Sequence, residues 1–430
     1  MEKPYLLLSS CLMGIGISLC QNTLYGSISY LSMNFGQEIY LWVCAMINLP
    51  CLPVSLYQLV QEKRYSVSDP TSASTPLLSH INDINEYQNQ RNETKRLCWQ
   101  LCATYLIGAV LIGAIPFIHT KSALLGLSLV VGFLQANSFC VAFRMVSLPT
   151  SGEAKFLQAA LSFGFQGSSI CVLFSQILSG FRVNTKPESF DMPMMNFYFV
   201  NACFSFVSIL GVYNFYRMST TFTYHNNIND RTESQIETST SADKKSLFSW
   251  KGSGLDKTWQ VVLALFVTIF GSVIIFPFYS YIPSSEGTLM ANMILNRNLF
   301  YVKAISDTVS RPLTVILPTV IASKRLLLVT SLARVLFVPV FLLYVFTDYI
   351  PYNDILCYVF IGWYAFGSGY LKTISYQLVT EMEMSPSLRR RVSNVVNMGF
   401  NVAIELATVA GIILRFTLLH GKIDEANMPH

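Results

Sequence analysis

The chain reads as an all-α polytopic membrane protein with eleven transmembrane helices, and three observations predict this. Only 12% of its 430 residues are charged, about half the usual share for a soluble domain. Hydrophobic residues make up 52% and mean hydropathy is +0.45. The apolar residues also gather into eleven stretches long enough to cross a bilayer, which takes about 20 residues of helix, with polar breaks between them.

In order, the first span covers 5–30. Its leader MEKPYLLLSS holds one Lys and no small-residue cleavage site, so it is expected to stay in the membrane. The second covers 36–60 and precedes a polar stretch, 61–97, rich in Ser, Thr and Asn, which is expected to be a disordered linker. Spans three to six cover 98–118, 122–148, 153–181 and 193–217. A second linker of the same kind, 218–257, divides the spans six and five. Spans seven to eleven follow at 258–283, 294–322, 325–348, 353–380 and 391–419. The expected organisation is therefore a six-helix bundle over 1–217, a linker over 218–257 and a five-helix bundle over 258–430. Gly14 and Gly16 in the first span, Gly164, Gly167, Ser168 and Ser169 in the fifth, and Gly367 and Gly369 in the tenth mark places where helices are expected to cross closely.

Loop charge sets the orientation. With the N-terminus in the cytosol, roughly eighteen Lys and Arg lie on the cytosolic side against about five outside. Both linkers are then cytosolic, the C-terminus is extracellular, and the sequon at Asn92 is expected to stay unglycosylated. The plasma membrane is the expected location.

The eighth span is the exception to the apolar pattern. Its FYVKAISDTVSRP run places Lys303, Asp307 and Arg311 at i, i+4 and i+8, on one helical face with Phe300 a turn above. Each charge at the centre of a span costs roughly 2.5–3.5 kcal/mol. Asp307 lies roughly 20 Å from the start of the span, near the midplane, where secondary transporters hold their solutes. An Asp–Arg pair that only pins two helices is the structural alternative. Of the other basic residues within spans, Arg144 and Arg297 lie near span ends and are expected to snorkel, whereas Arg334 and Lys372, like Lys303, lie deeper and need partners. Glu405, in the eleventh span, is expected either to pair with Lys372 or Lys303 or to take up a proton during transport.

Several classes are excluded. No HExxH, GxSxG, paired histidines or P-loop occurs, so neither an enzyme nor an ATP-driven pump is indicated. No CxxC pair occurs among the ten cysteines and the five histidines are scattered, so no cofactor or metal is expected. No basic run argues for nucleic acid; the expected surroundings are the lipid bilayer, and the expected functional unit is a monomer.

The Asp307 and Arg311 of SDTVSRP resemble the Asp-x-x-Gly-Arg signature of the equilibrative nucleoside transporters, with Ser310 in place of glycine. Other stretches are similar in order. GIGISLCQN resembles the first-span run that ends in Pro-Trp-Asn in that family, with Asn22 matching and Gln21 replacing the tryptophan. FLQANSF resembles the fourth-span run around a glutamine, here Gln135, and LSFGFQG a fifth-span Ser-Gly-Gln-Gly type run. Phe276-Pro277, the Arg334, Phe337 and Pro339 of ARVLFVPVF, and SGYLKT with Ser368 for asparagine are similar to motifs of the second half. Lys303 and Ala304 depart from the pattern.

The resemblance implies a major-facilitator-like 6+5 fold that moves nucleosides, and possibly nucleobases, down their gradient by alternating access. It implies that Asp307 and Arg311 hold ribose hydroxyls, that Gln135 meets the base, and that Phe276 and Phe300 line the pocket. Asn22 and Tyr25, with Gln21 beside them, would close it from the first half. A carboxylate and a guanidinium suit hydroxyls, and aromatic rings suit a flat base. The alternative reading is a proton-coupled major-facilitator-type carrier of another small polar organic solute, coupled through Asp307 or Glu405.

Overall fold

The computed structural model describes residues 2–36, 38–67, 76–146, 151–181, 192–229, 255–316, 323–347, 350–382 and 386–418. They form a bundle of long helices. In the first half these are α1 (Glu2–Gly26), α2 (Ile28–Phe35), α3 (Ile39–Asn48), α4 (Cys51–Val67), α5 (Pro76–Ala114), α6 (Lys121–Val146), α7 (Ser151–Ser179) and α8 (Met192–Asn229). The second half holds α9 (Leu255–Ile275), α10 (Leu289–Ile316), α11 (Lys324–Val335), α12 (Phe337–Phe346), α13 (Asp354–Glu381) and α14 (Pro386–Leu418).

Proline accounts for three of the breaks. Pro50 lacks the N–H a continuous helix needs, so α3 stops before it and α4 restarts with the Val54 N–H on the Pro50 carbonyl, 3.1 Å. Pro339 likewise leaves the Val335 carbonyl unserved, and the chain tightens at Leu336 between α11 and α12. Pro277 opens the 3₁₀ turn Phe276–Tyr281 that ends α9.

Nine helical segments among the described residues are long and apolar enough to cross a membrane. Outward-facing side chains agree with a lipid-covered surface: Val110, Ile177, Phe199, Leu210, Val329 and Val359 are each more than 60% exposed. The expected eighth and tenth spans, α10 and α13, are long enough at 28 residues each but too polar to meet the same measure.

The expected linker 61–97 is corrected in part, because α4 runs on to Val67 and 76–97 is the first half of α5. Over 91–97 its polar residues share a helix with a buried side: Thr94 and Leu97 are buried, and Glu93 pairs with Arg144 of α6. Asn92, the sequon residue, sits on this helix and is exposed. Likewise α8 continues to Asn229. Residues 68–75 and 230–254 of the two linkers lie outside the described residues.

Packing is heaviest within two sets of helices. In the first half α1 lies on α7 and α8, and α5 lies on α8; in the second, α10 lies on α13, and α9 on α14 and α11. Between the sets, α7 meets α10 and α13, and α14 meets α3, α4 and α6. At the α1–α7 crossing a Cβ on Gly164 would stand 1.9 Å from the Cys11 carbonyl oxygen, and one on Gly14 would stand 2.2 Å from that of Leu161. Only hydrogen fits there, which is the use the small residues were expected to have.

Candidate functional site: a charged slot between the halves

The middle of α10 carries the charge. Asp307 is 2% exposed, and its Oδ1 accepts from Arg311 Nε at 2.8 Å, one turn on. Its Oδ2 faces Lys372 Nζ of α13 at 3.4 Å. Arg311 then reaches out of its own half, with Nη1 donating to the Ser162 carbonyl of α7 at 2.9 Å. Lys303, one turn before Asp307, lies with Nζ 3.7 Å over the ring of Phe276.

Gly369 lets α13 come this near. A Cβ there would meet Ser310 Oγ at 2.2 Å, the Asp307 carbonyl at 2.4 Å and Asp307 Oδ1 at 2.5 Å. The tenth-span glycine therefore sets the distance that brings Lys372, one turn later, onto the carboxylate.

Contacts between the halves close both ends of the slot. Toward the end where α1 finishes, Tyr25 and Tyr40 of the first half interlock edge-on with Phe276, centroids 5.3 and 5.4 Å apart, and Phe300 packs on Tyr25 and Phe276 at 6.4 Å. Farther out, Gln176 of α7 donates to the Gly26 carbonyl at 2.6 Å and accepts from the Tyr301 hydroxyl of α10. Glu38 pairs with Arg415 of α14, which also donates to Tyr281 at 3.2 Å. Toward the other end, Phe139 stacks on Phe400 at 4.9 Å, Phe143 packs on Tyr376 at 4.9 Å, and Asn401 donates to Ser55. In this closed arrangement Asp307 and Arg311 are enclosed.

The structure thus brings Asp307, Arg311, Lys372, Lys303, Phe276, Phe300 and Tyr25 together. Asn22 is in the α1–α7 contact, donating to Ser168 Oγ at 2.5 Å. Gln21 donates to the Tyr25 hydroxyl at 2.9 Å. Gln135 is placed elsewhere: with Gln21, Cys20, Thr104 and Ser205 it lines a crevice of about 20 Å³ between helices of the first half, the size of one water molecule. That lining includes no member of the charged group. The Gln135 Oε1 is buried with no hydrogen-bond partner among the described residues.

One expectation about partners is corrected. The acid facing Lys372 is Asp307 rather than Glu405, because α13 crosses α10 at Gly369 whereas α14 packs chiefly on α9 and α4. Glu405 makes no ion pair among the described residues and its Oε1 is buried without a hydrogen-bond partner. Arg334 has the partners it was expected to need, though no carboxylate pairs with it among the described residues. Its guanidinium is held by the carbonyls of Tyr364 and Thr268, both at 3.1 Å, by Ser272 Oγ at 2.9 Å, and by the Tyr364 face at 3.7 Å. The sequence reading missed Arg415, a basic residue in the last turn of a span, and its partner Glu38.

This arrangement of helices recurs in solved transporters. The chain has the major facilitator fold. The proton:xylose symporter XylE superposes with a TM-score of 0.60 at 9% identity, over 96% of this chain and 90% of that one. The nucleoside transporter NupG gives 0.52 at 14%, over 96% and 91%. A bacterial homologue of the human lysosomal transporter Spinster, in an inward-facing and occupied conformation, gives 0.51 at 12%, over 99% and 86%. No protein-family model matches the chain, and no curated protein matches it in sequence. Within this fold the charged slot lies on the seam between the two halves, since Arg311 bonds α7 from α10.

Proposed function

We propose that the chain is a facilitative carrier of nucleosides, and of nucleobases, working by alternating access. The two bodies are 1–217 and 258–430, with α10 and α13 as the eighth and tenth of eleven spans. The observation that carries this reading is the buried Asp307–Arg311 pair, whose arginine crosses to the opposite half. An ion pair that only pinned two helices would have no need of the seam. The likeness to NupG, described as a nucleoside transporter, and the resemblance of SDTVSRP to the equilibrative signature support the solute class.

When the halves part at one end, Arg311 gives up the Ser162 carbonyl, and the pair offers donors and acceptors together to ribose hydroxyls. Phe276, Phe300 and Tyr25 offer ring faces to a base, with Asn22 and Gln21 behind them. Gln135, whose carbonyl oxygen is unpaired, is the candidate for the base edge. In this reading the carrier sits in the plasma membrane, N-terminus inside, and acts as a monomer.

The test is radiolabelled uptake into transporter-deficient cells, competed by adenosine, inosine, hypoxanthine and glucose, with wild type and Asp307→Ala side by side. The expected result is nucleoside-competed uptake that the variant loses while still reaching the membrane. Competition by glucose alone would remove the solute assignment. The unpaired Glu405 favours the second reading, a proton-coupled carrier of another polar solute. Coupling through Glu405 requires Glu405→Gln to abolish the pH dependence of uptake; unchanged rate and pH dependence remove that route and leave Asp307 as the one candidate for coupling.

A further inference from the structure

The slot holds more positive charge than its own acid can match. Three cations, Lys303, Arg311 and Lys372, are gathered around one carboxylate, Asp307, an excess of two formal charges. Both Asp307 oxygens are already engaged, one by Arg311 and the other by Lys372. Arg334 adds a further cation to the same half and is served by carbonyls, a hydroxyl and a ring, with no acid. The acids elsewhere in the spans do not redress this: Glu38 is taken by Arg415, and Glu405 makes no ion pair among the described residues.

Lys303 is the sharpest case. Its ammonium carries three donors and makes no hydrogen bond among the described residues; the ring of Phe276 is its neighbour. Among the described residues Lys372 makes one ion pair, stretched to 3.4 Å, and its side chain keeps 15% exposure. Unmatched charge this deep is costly, and a neutral solute would leave the cost in place. An oxyanion reached by both ammonium groups would remove it, because each lysine could then give it a charge-assisted hydrogen bond.

The position of Lys303 adds a second requirement. It lies on the Phe276 face, in the place a flat ring would occupy, and Tyr25, Tyr40 and Phe300 pack on that same ring. Drawing Lys303 off Phe276 into an ion pair clears that face for stacking. Charge and flatness would then be recognised together.

We infer that the solute is a flat aromatic or heteroaromatic ring bearing an oxyanion, carboxylate or phosphate, with Lys303 and Lys372 as its charge-reading residues. This rests on the alternating-access carrier reading above and departs from its solute class, replacing neutral nucleosides and nucleobases by anionic flat-ring solutes. The anion is read by the two lysines, while Asp307 holds Arg311 and Lys372 in position between transport cycles.

The experiment uses the purified full chain in proteoliposomes and measures uptake of matched labelled pairs: orotate against uracil, adenosine 5′-monophosphate against adenosine, and benzoate against benzamide. The expected result is at least tenfold faster uptake of the anion in one or more pairs; which pair responds separates a carboxylate from a phosphate solute. In Lys303→Gln and Lys372→Gln, each checked for an unchanged unfolding temperature, that preference falls to within about twofold. A measurement that needs no variant accompanies this. An inside-positive potential of about 100 mV raises the equilibrium accumulation of a monovalent anion roughly fiftyfold and leaves that of a neutral solute unchanged. Neutral members entering as fast as their anions, or a preference unaltered in both lysine variants, overturns the inference. Preference for benzoate with no entry of any nucleobase or nucleoside upholds the charge inference and removes the nucleoside reading. Preference for uracil and adenosine does the reverse, and no uptake of any of the six by folded, inserted protein counts against both.

Discussion

Arg311 and Arg334 belong to the same half and are almost equally buried, at 4% and 6% exposure, yet their surroundings differ in kind. Arg334 is enclosed by oxygens and a ring of its own half and ties α9, α11 and α13 together. Arg311 meets a carboxylate on its own helix and a carbonyl on the opposite half. A buried cation satisfied within one rigid body supports architecture. One that divides its bonds between two bodies must exchange partners whenever those bodies move, which makes it the element a solute can replace.

Substitution at the two arginines can break this contrast. The largest effect is expected for Arg311→Met: uptake falls at least a hundredfold, and the loss of one partner from the buried pair lowers stability by about 3–5 kcal/mol. Arg334→Met is expected to cost about 1–3 kcal/mol in unfolding measurements while uptake per folded molecule persists. If Arg334→Met abolishes uptake and leaves stability intact, the division into supporting and exchanging cations is wrong. A smaller change sharpens the same contrast. Gly369→Ala places a methyl against Asp307 and Ser310 and is expected to cost about 1–3 kcal/mol, whereas Gly367→Ala has 3.6 Å to the nearest Arg334 atom and is expected to be near neutral in thermal shift. The smallest effect belongs to Glu38→Gln, because Glu38 is 41% exposed: under about 1 kcal/mol of stability, with uptake changed less than twofold.

Much of this was legible in one dimension. Hydropathy located the helices, because lipid-facing and core-facing side chains in a span are both apolar. The i, i+4 spacing of Asp307 and Arg311 announced their pairing, because a helix fixes that geometry alone. The glycines of the α1–α7 crossing were legible for the same reason: small residues have few other uses at such density. Partners from other helices were not legible. Nothing in the spacing of Lys372 says whether α10 or α14 supplies its acid; the close approach at Gly369 decides it. Gln135 lines a crevice inside the first half, a placement motif order does not give, since it carries no information on which neighbours a helix face meets. Over 91–97 the polar stretch misled because composition averages over a helix whose inner face, at Thr94 and Leu97, is buried.

Gln176 has a consequence for how the far end opens. Its amide bonds Gly26 within the first half and Tyr301 across the seam, so parting the halves breaks one of its two hydrogen bonds and water can take the freed place. Such an exchange is worth only about 0.5–1.5 kcal/mol. With Glu38 half-exposed and its pair with Arg415 worth under about 1 kcal/mol, the seal at that end is set by the aromatic faces of Tyr25, Tyr40, Phe276 and Phe300. Apolar closure of this kind is entropic near room temperature and weakens on cooling, so chilling should favour the unsealed form at that end, with Gln176 still fastened to α1.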